Sequence, residues 1–194
     1  MADEKTCFIA DLHIGSESRR TVCMRGFKSD WMRHEQEVLK GMNRTLSRYH
    51  TLYILGDVGS SSDYDHLKWF LQQLKTRRIF LVLGNHDNEQ FFYRLKKEHV
   101  ILDYALMYDI KFDKRRFVLC HYPFFEWPHF FANSFHLFGH AHNNIQLGWR
   151  SMDVGIDNIG YSPIDIKEVI RQLERYNNVD QYRNKLLLDK KYSL

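Results

Sequence analysis

Five apolar, strand-like runs in this chain each end on side chains able to hold a metal ion. They close on Asp11 and His13, on Asp57, on Asn85 and His86, on His121, and on His140 and His142. Open α/β sheets collect functional groups at the carboxyl ends of their strands, so this repetition predicts one site at one sheet edge. Gly56, Gly84 and Gly139 stand immediately before ligand-type residues, where a tight turn or a close backbone approach is needed. Residues two apart in an extended segment point the same way, which would let Asp11 with His13, and His140 with His142, each present two groups to one spot.

The rest of the chain supports a single layered domain. Its 194 residues, 44% apolar and 27% charged, suit one soluble unit, with a core over about 5–176 and a polar tail over 177–194. Strands are expected over 5–10, 51–55 and 79–83. Helices should run over about 30–49, with Trp31, Val38, Leu39, Met42, Leu46 and Tyr49 on one face, and from a Ser62/Asp65 capping box along Leu67, Phe70, Leu71 and Leu74. A short helix to about residue 97 precedes two or three antiparallel strands over 100–120. Further strands are expected over 134–138 and 152–156. Pro163 should open a helix carrying Ile166, Val169, Ile170 and Leu173. This order predicts an α/β fold with a mixed sheet or two packed sheets.

No apolar run is long enough to cross a bilayer, and the acidic start does not read as a signal peptide. Three cysteines without close pairing suit a reducing cytoplasm. The net charge of +4 is compatible with an anionic substrate and decides nothing further.

The ligand types decide more. Imidazole suits Zn, Fe and Mn, whereas carboxylate and amide oxygens favour harder ions, so a mixed set points to Mn²⁺, Fe²⁺ or Zn²⁺. No thiolate belongs to the set, which argues against a cysteine-rich structural zinc site. Seven ligands are too many for one tetrahedral ion and fit two ions sharing a carboxylate.

The motifs Asp11-Leu12-His13, Gly56-Asp57, Gly84-Asn85-His86-Asp87, a strand-end His121 and Gly139-His140-Ala141-His142 resemble, in this order, those of the calcineurin-like metallophosphoesterase superfamily. The resemblance covers residues 7 to about 170 and is similar in compactness to the small prokaryotic or phage members. It implies two packed mixed β-sheets flanked by helices, a four-layer sandwich. It also implies one metal on Asp11, His13, Asp57 and His142, and another on Asp57, Asn85, His121 and His140, with Asp57 bridging. The ions would most simply be Mn²⁺, with Fe²⁺, Zn²⁺ or Ni²⁺ as alternatives. His86 would act on the substrate, as an acid or as a stabiliser of the phosphoryl oxygens, and a metal-bound hydroxide would attack phosphorus.

Many relatives carry an Asp three positions after the bridging one, orienting the histidine equivalent to His86. Here Ser60 stands there, and Asp63, Asp65 and Asp87 are the carboxylates that could replace it. The G-D-x-x-D-R-G and G-N-H-E forms of the Ser/Thr protein phosphatases are absent. The expected activity is therefore hydrolysis of a small phosphate ester, a nucleotide-related diester first. A phosphomonoesterase, a protein phosphatase or a catalytically silent metal-binding interaction protein are the alternatives. No stable nucleic-acid partner is expected. Two loops should border the metals: residues 14–28, bringing Arg19, Arg20 and Arg25 as phosphate contacts, and 124–131, bringing Trp127 as a stacking platform.

Overall fold

A computed structural model describes residues 5–15, 19–28, 30–59, 62–145 and 150–175. Strands β1 (Thr6–Ile9), β2 (Thr51–Leu55), β3 (Arg78–Val82) and β4 (Asp103–Ala105) run parallel, and β9 (Ile164–Asp165) closes the sheet antiparallel to β1, in the order β4-β3-β2-β1-β9. The second sheet has the order β5-β6-β7-β8, from β5 (Met107–Phe112), β6 (Arg115–Cys120), β7 (Phe135–Phe138) and β8 (Ser151–Asp153). Only β5 is antiparallel there. Both sheets are thus mixed, as expected.

Period-2 alternation explains how the layers stack. Cys7 and Ile9 of β1, Leu52 and Ile54 of β2, and Ile79 and Leu81 of β3 face one way. They pack on α2 (Trp31–Thr45), α3 (Tyr64–Gln73) and α4 (Glu89–Lys97) through Val38, Met42, Phe70, Leu71 and Phe92. Phe8, Tyr53, Leu55 and Val82 face the other way, onto Ile110, Phe117, Leu119, Phe135 and Leu137 of the second sheet. Ile166, Val169, Ile170 and Leu173 of α6 (Ile166–Arg175) join this second core. On the far side of the second sheet, Val118 meets Trp127 and Phe130 from the segment after β6.

Local chemistry moves several boundaries. Asp30 caps α2 by accepting the Arg33 N–H at 3.0 Å, and the helix stops at Thr45, leaving Tyr49 beyond its end and exposed. The cap of α3 is Asp63, bonded to the His66 N–H at 3.0 Å, and not Ser62, because Tyr64 already begins the helix. Residues 103–105 are a parallel strand of the first sheet instead of part of an antiparallel set. Pro163 precedes β9, not a helix, and Ile156 opens the short α5 (Ile156–Ile159) instead of ending a strand. The loop expected over 14–28 contains α1 (Arg19–Val22) and a π-helical turn, Cys23–Phe27. The tail from 177 onward lies outside the described residues.

The inter-sheet core sets how firmly β6 and β7 hold their carboxyl ends against those of β1 and β2. Phe117 is fully buried there, 5.2 Å from the Phe135 ring. Phe117→Ala should lower unfolding free energy by about 3–5 kcal/mol in urea titration. A loss under about 1 kcal/mol would contradict a close-packed interface between the sheets.

Candidate metal centre

Because β1, β2 and β3 are parallel, and β6 and β7 are parallel, the residues following them emerge together. The β1–β2 pairing continues past the strands, with Asp11 N–H donating to the Gly56 carbonyl and His13 N–H to the Asp57 carbonyl, both at 3.0 Å. The second sheet does likewise, with Gly139 N–H bonded to the His121 carbonyl at 2.9 Å. The Asp11 carboxylate crosses between sheets to accept the His140 N–H at 3.0 Å.

The side chains form two adjacent groups. Asp11, His13 and His142 bring one ligand atom each to within 4.8 Å of one another, and so do Asp57, His121 and His140. Asp57 stands between them: one carboxylate oxygen is 3.6 Å from His13 Nε2 and the other 3.5 Å from His121 Nε2. Asn85 Oδ1 joins the second group, 3.0 Å from His121 Nε2 and 2.9 Å from His140 Nδ1. All seven sequence-predicted ligands therefore meet at one place. His140 and His142 divide between the groups, and Asp11 and His13 are not extended; all four have positive φ, from 47° to 66°, as Asp57 does at 50°. Such backbone is costly for residues with a Cβ and collects at functional sites. The shared orientation expected of residues two apart is thus not what arranges them.

Two glycines let the loops close this tightly. A Cβ on Gly84 would lie 2.3 Å from an Asp57 carboxylate oxygen, and one on Gly56, whose φ is +87°, would lie 2.4 Å from His121 Nδ1. Between these loops, the Asp87 carboxylate accepts N–H bonds from Asp57, Val58 and Gly84 at 2.8–2.9 Å. Burial raises its pKa to about 6 despite those bonds.

The donor atoms are in a state suited to a cation. His13 Nε2 is buried with no hydrogen-bond partner. Burial, only partly opposed by Asp57, lowers the His13 pKa to about 3, so the imidazole is neutral and offers a lone pair at neutral pH. His121 Nδ1 lies 2.8 Å from the Leu55 carbonyl, an acceptor only. Burial lowers the His121 pKa, but Asp57, Asp11 and the Leu55 carbonyl outweigh it and raise the value. A cation in that place would take over the proton's role and meet the Nε2 and Asn85 Oδ1 lone pairs together. Burial pushes the Asp57 carboxyl up, but His121, the His86 N–H and His13 outweigh it and leave the pKa at about 2. Burial holds Asp11 near 7, and a cation beside it would reverse that. Asp, Asn and His without thiolate fit two divalent ions.

The sequence reading missed Asp157. It lies on α5, and its carboxylate is 2.6 Å from His142 Nδ1. That contact raises the His142 pKa, while Arg25 and His142 together overcome burial and hold Asp157 well below the carboxylate range. Its only signal was a strand, a glycine and a turn, β8-Val154-Gly155, like those before the other ligands. Arg25 corrects a second expectation. Its guanidinium bonds Asp157 twice, at 2.8 and 2.6 Å, the Leu12 and Asp11 carbonyls at 3.3 and 2.8 Å, and the His34 ring at 3.1 Å. All five N–H groups are engaged, so Arg25 braces the ligand loops and is not a phosphate contact.

Trp127 is corrected as well. It is only 6% exposed, its ring stacks on His136 at 5.2 Å, and its Nε1–H donates to Ser134 Oγ at 2.9 Å. The ring is held by packing, and it also lines the hollow bordered by Tyr122 and Phe124. The aromatic that does reach the ligands is Tyr122, whose ring centroid lies 5.1 Å from His121 and 4.9 Å from His140. Arg20 is exposed on α1, and the side chain of Arg19 lies outside the described residues. His86 is exposed, its ring 5.5 Å from that of His13, and its backbone N–H donates to Asp57 at 2.9 Å. Ser60 is outside the described residues. Asp63 caps α3 and Asp87 serves backbone N–H groups, so neither orients the His86 ring.

A family model described as calcineurin-like phosphoesterase matches residues 5–190. The Gene 66 protein of Mycobacterium phage L5 is 33% identical over 85 residues, a match spanning 42% of this chain and 39% of that protein. Among solved structures, AQ665 from Aquifex aeolicus, a protein of unknown function, superposes with a TM-score of 0.64 at 21% identity, covering 86% of this chain and 98% of that one. Yfce, a phosphoesterase from E. coli, gives a TM-score of 0.38 at 19% identity over 71% and 69% of the two chains. The chain belongs to the calcineurin-like phosphoesterase family, a family of metal-dependent phosphoric ester hydrolases.

Proposed function

We propose that this chain hydrolyses small phosphate esters, preferring diesters, with two divalent ions held by Asp11, His13, Asp57 and His142 and by Asp57, Asn85, His121 and His140. The observation that carries this reading is the Asp57 carboxylate, with its two oxygens turned to the two ligand groups at 3.6 and 3.5 Å. Bound there, the ions would supply Lewis acidity and lower the pKa of a water between them towards about 7. Mn²⁺ suits the mixed nitrogen and oxygen donors.

The protein's own part is orientation and charge. Asp157 fixes which ring nitrogen of His142 faces outward, and Leu55 does the same for His121. His86 stands exposed beside His13, where it can donate a proton to a departing alkoxide or bind the phosphoryl oxygens. Arg25 is committed internally, so the ions and His86 are the groups proposed to meet the phosphate charge. A monoanionic diester demands less of them than a dianionic monoester. The support that Arg25 lent to a nucleotide preference is removed by its internal role. The free thiols Cys7, Cys23 and Cys120 favour a reducing, cytoplasmic setting. Among the described residues, no helix is long and apolar enough to cross a membrane.

Hydrolysis of 4-nitrophenyl mono- and diesters with Mn²⁺ tests the reading, and a chelator should abolish it. Losing a group that merely orients a ligand costs about 10–100-fold. Asp57→Asn weakens both sites together and should cost at least about 100-fold in kcat/KM; near-normal turnover would contradict the mechanism. His86→Asn should keep metal binding but slow esters of unactivated alcohols about 10²–10⁴-fold, and activated aryl esters less. Equal losses on both would assign His86 to electrostatic stabilisation instead.

A further inference from the structure

Next to the second ligand group lies a cavity of about 630 Å³ whose lining includes Leu83, Leu106, Met107, Tyr122, Phe124 and Glu126. Two of its lining residues adjoin candidate ligands. Leu83 is two residues before Asn85, and Tyr122 follows His121 and lies against both His121 and His140. Its size is that of a small-molecule site, which typically measures about 300–1,000 Å³. Glu126 is the one charged residue among those lining it, so the cavity suits an uncharged group and disfavours a second phosphate. Leu106 and Met107 are 72% and 40% exposed, an apolar surface left open beside the polar centre.

We infer that this cavity binds the organic group that remains on phosphorus when a diester is cleaved, and that this group is apolar and uncharged, preferably aromatic. The inference rests on the phosphoesterase reading and adds the substrate class to it. His86 edges onto His13 of the first ligand group, whereas Tyr122 edges onto the second, so the leaving group and the cavity are assigned to different ends of the site. In the reaction, a water oxygen bonds to phosphorus and the bond from phosphorus to the leaving oxygen breaks. The leaving group departs as its alcohol, or as an aryloxide with the proton passing to solvent. The group in the cavity stays esterified.

Two 4-nitrophenyl diesters test this, one carrying an ethyl group and the other a 2-(2-naphthyl)ethyl group, because the bond broken is the same in both. With Mn²⁺ present, the naphthyl ester should show a KM at least about tenfold lower, since even one methylene in an apolar pocket is worth about tenfold. Leu106→Asp, at an exposed position that does not threaten folding, should bring the ratio of the two KM values close to one, and Leu106→Met should restore it. Equal KM values in the unaltered protein, or a ratio indifferent to Leu106→Asp, would overturn the cavity's role while leaving the hydrolase reading intact. No release of nitrophenol from either ester would overturn the hydrolase reading itself, and this inference with it.

Discussion

The Asp57 carboxylate, set between the imidazoles of His13 and His121, depends on contacts that admit no side chain in the neighbouring loop. Gly84 passes so close that a Cβ would strike an Asp57 oxygen and backbone nitrogen, and Gly56 turns with a left-handed φ to clear the His121 ring. Asp87 then ties the two loops through three N–H bonds. Other ligands reach the same point because five parallel strands in two facing sheets end there. The inter-sheet core of Phe8, Tyr53, Phe117 and Leu137 therefore serves the site directly, since it sets the distance between the two ligand-bearing edges.

Around this centre the charges are arranged in depth. Neutral His13, deprotonated Asp57, raised Asp11 and a His121 whose pKa Asp57 and Asp11 draw up make a buried set that gathers positive charge. One step further out, Arg25 joins the Asp11 and Leu12 carbonyls to Asp157, which in turn holds His142. That single guanidinium braces the D-x-H loop, with its unfavourable backbone, against the far end of the chain. The π-helical turn Cys23–Phe27 and α5 thereby acquire a function no ligand motif announces. Partners that orient ligands in this way commonly matter to metal affinity nearly as much as the ligands.

The strands that carry the candidate ligands, and the clustering of those seven side chains, were legible in the sequence because each motif is local: an apolar run, most often a glycine, then a metal-binding side chain. What was not legible is what depends on distant parts meeting. Arg25 read as a substrate contact because its partner Asp157 lies 132 residues away. Trp127 read as a platform because the face it covers, formed by Val118 and His136, belongs to strands on either side of it. Asp63 displaced Ser62 as a helix cap by a single position, which periodicity does not resolve. His140 and His142 do not share one spot, as residues two apart in an extended segment would. Left-handed backbone at His140 and His142, and not an extended segment, sends their rings to different groups.

A pair of metal ions sharing Asp57 is tested most directly by anomalous diffraction from crystals soaked in Mn²⁺. Two peaks about 3.5–4 Å apart are predicted. One should lie among Asp11, His13 and His142, the other among Asn85, His121 and His140, with the Asp57 carboxylate between them. A single peak at saturating Mn²⁺, or peaks that leave Asp57 without a metal contact, would contradict the account.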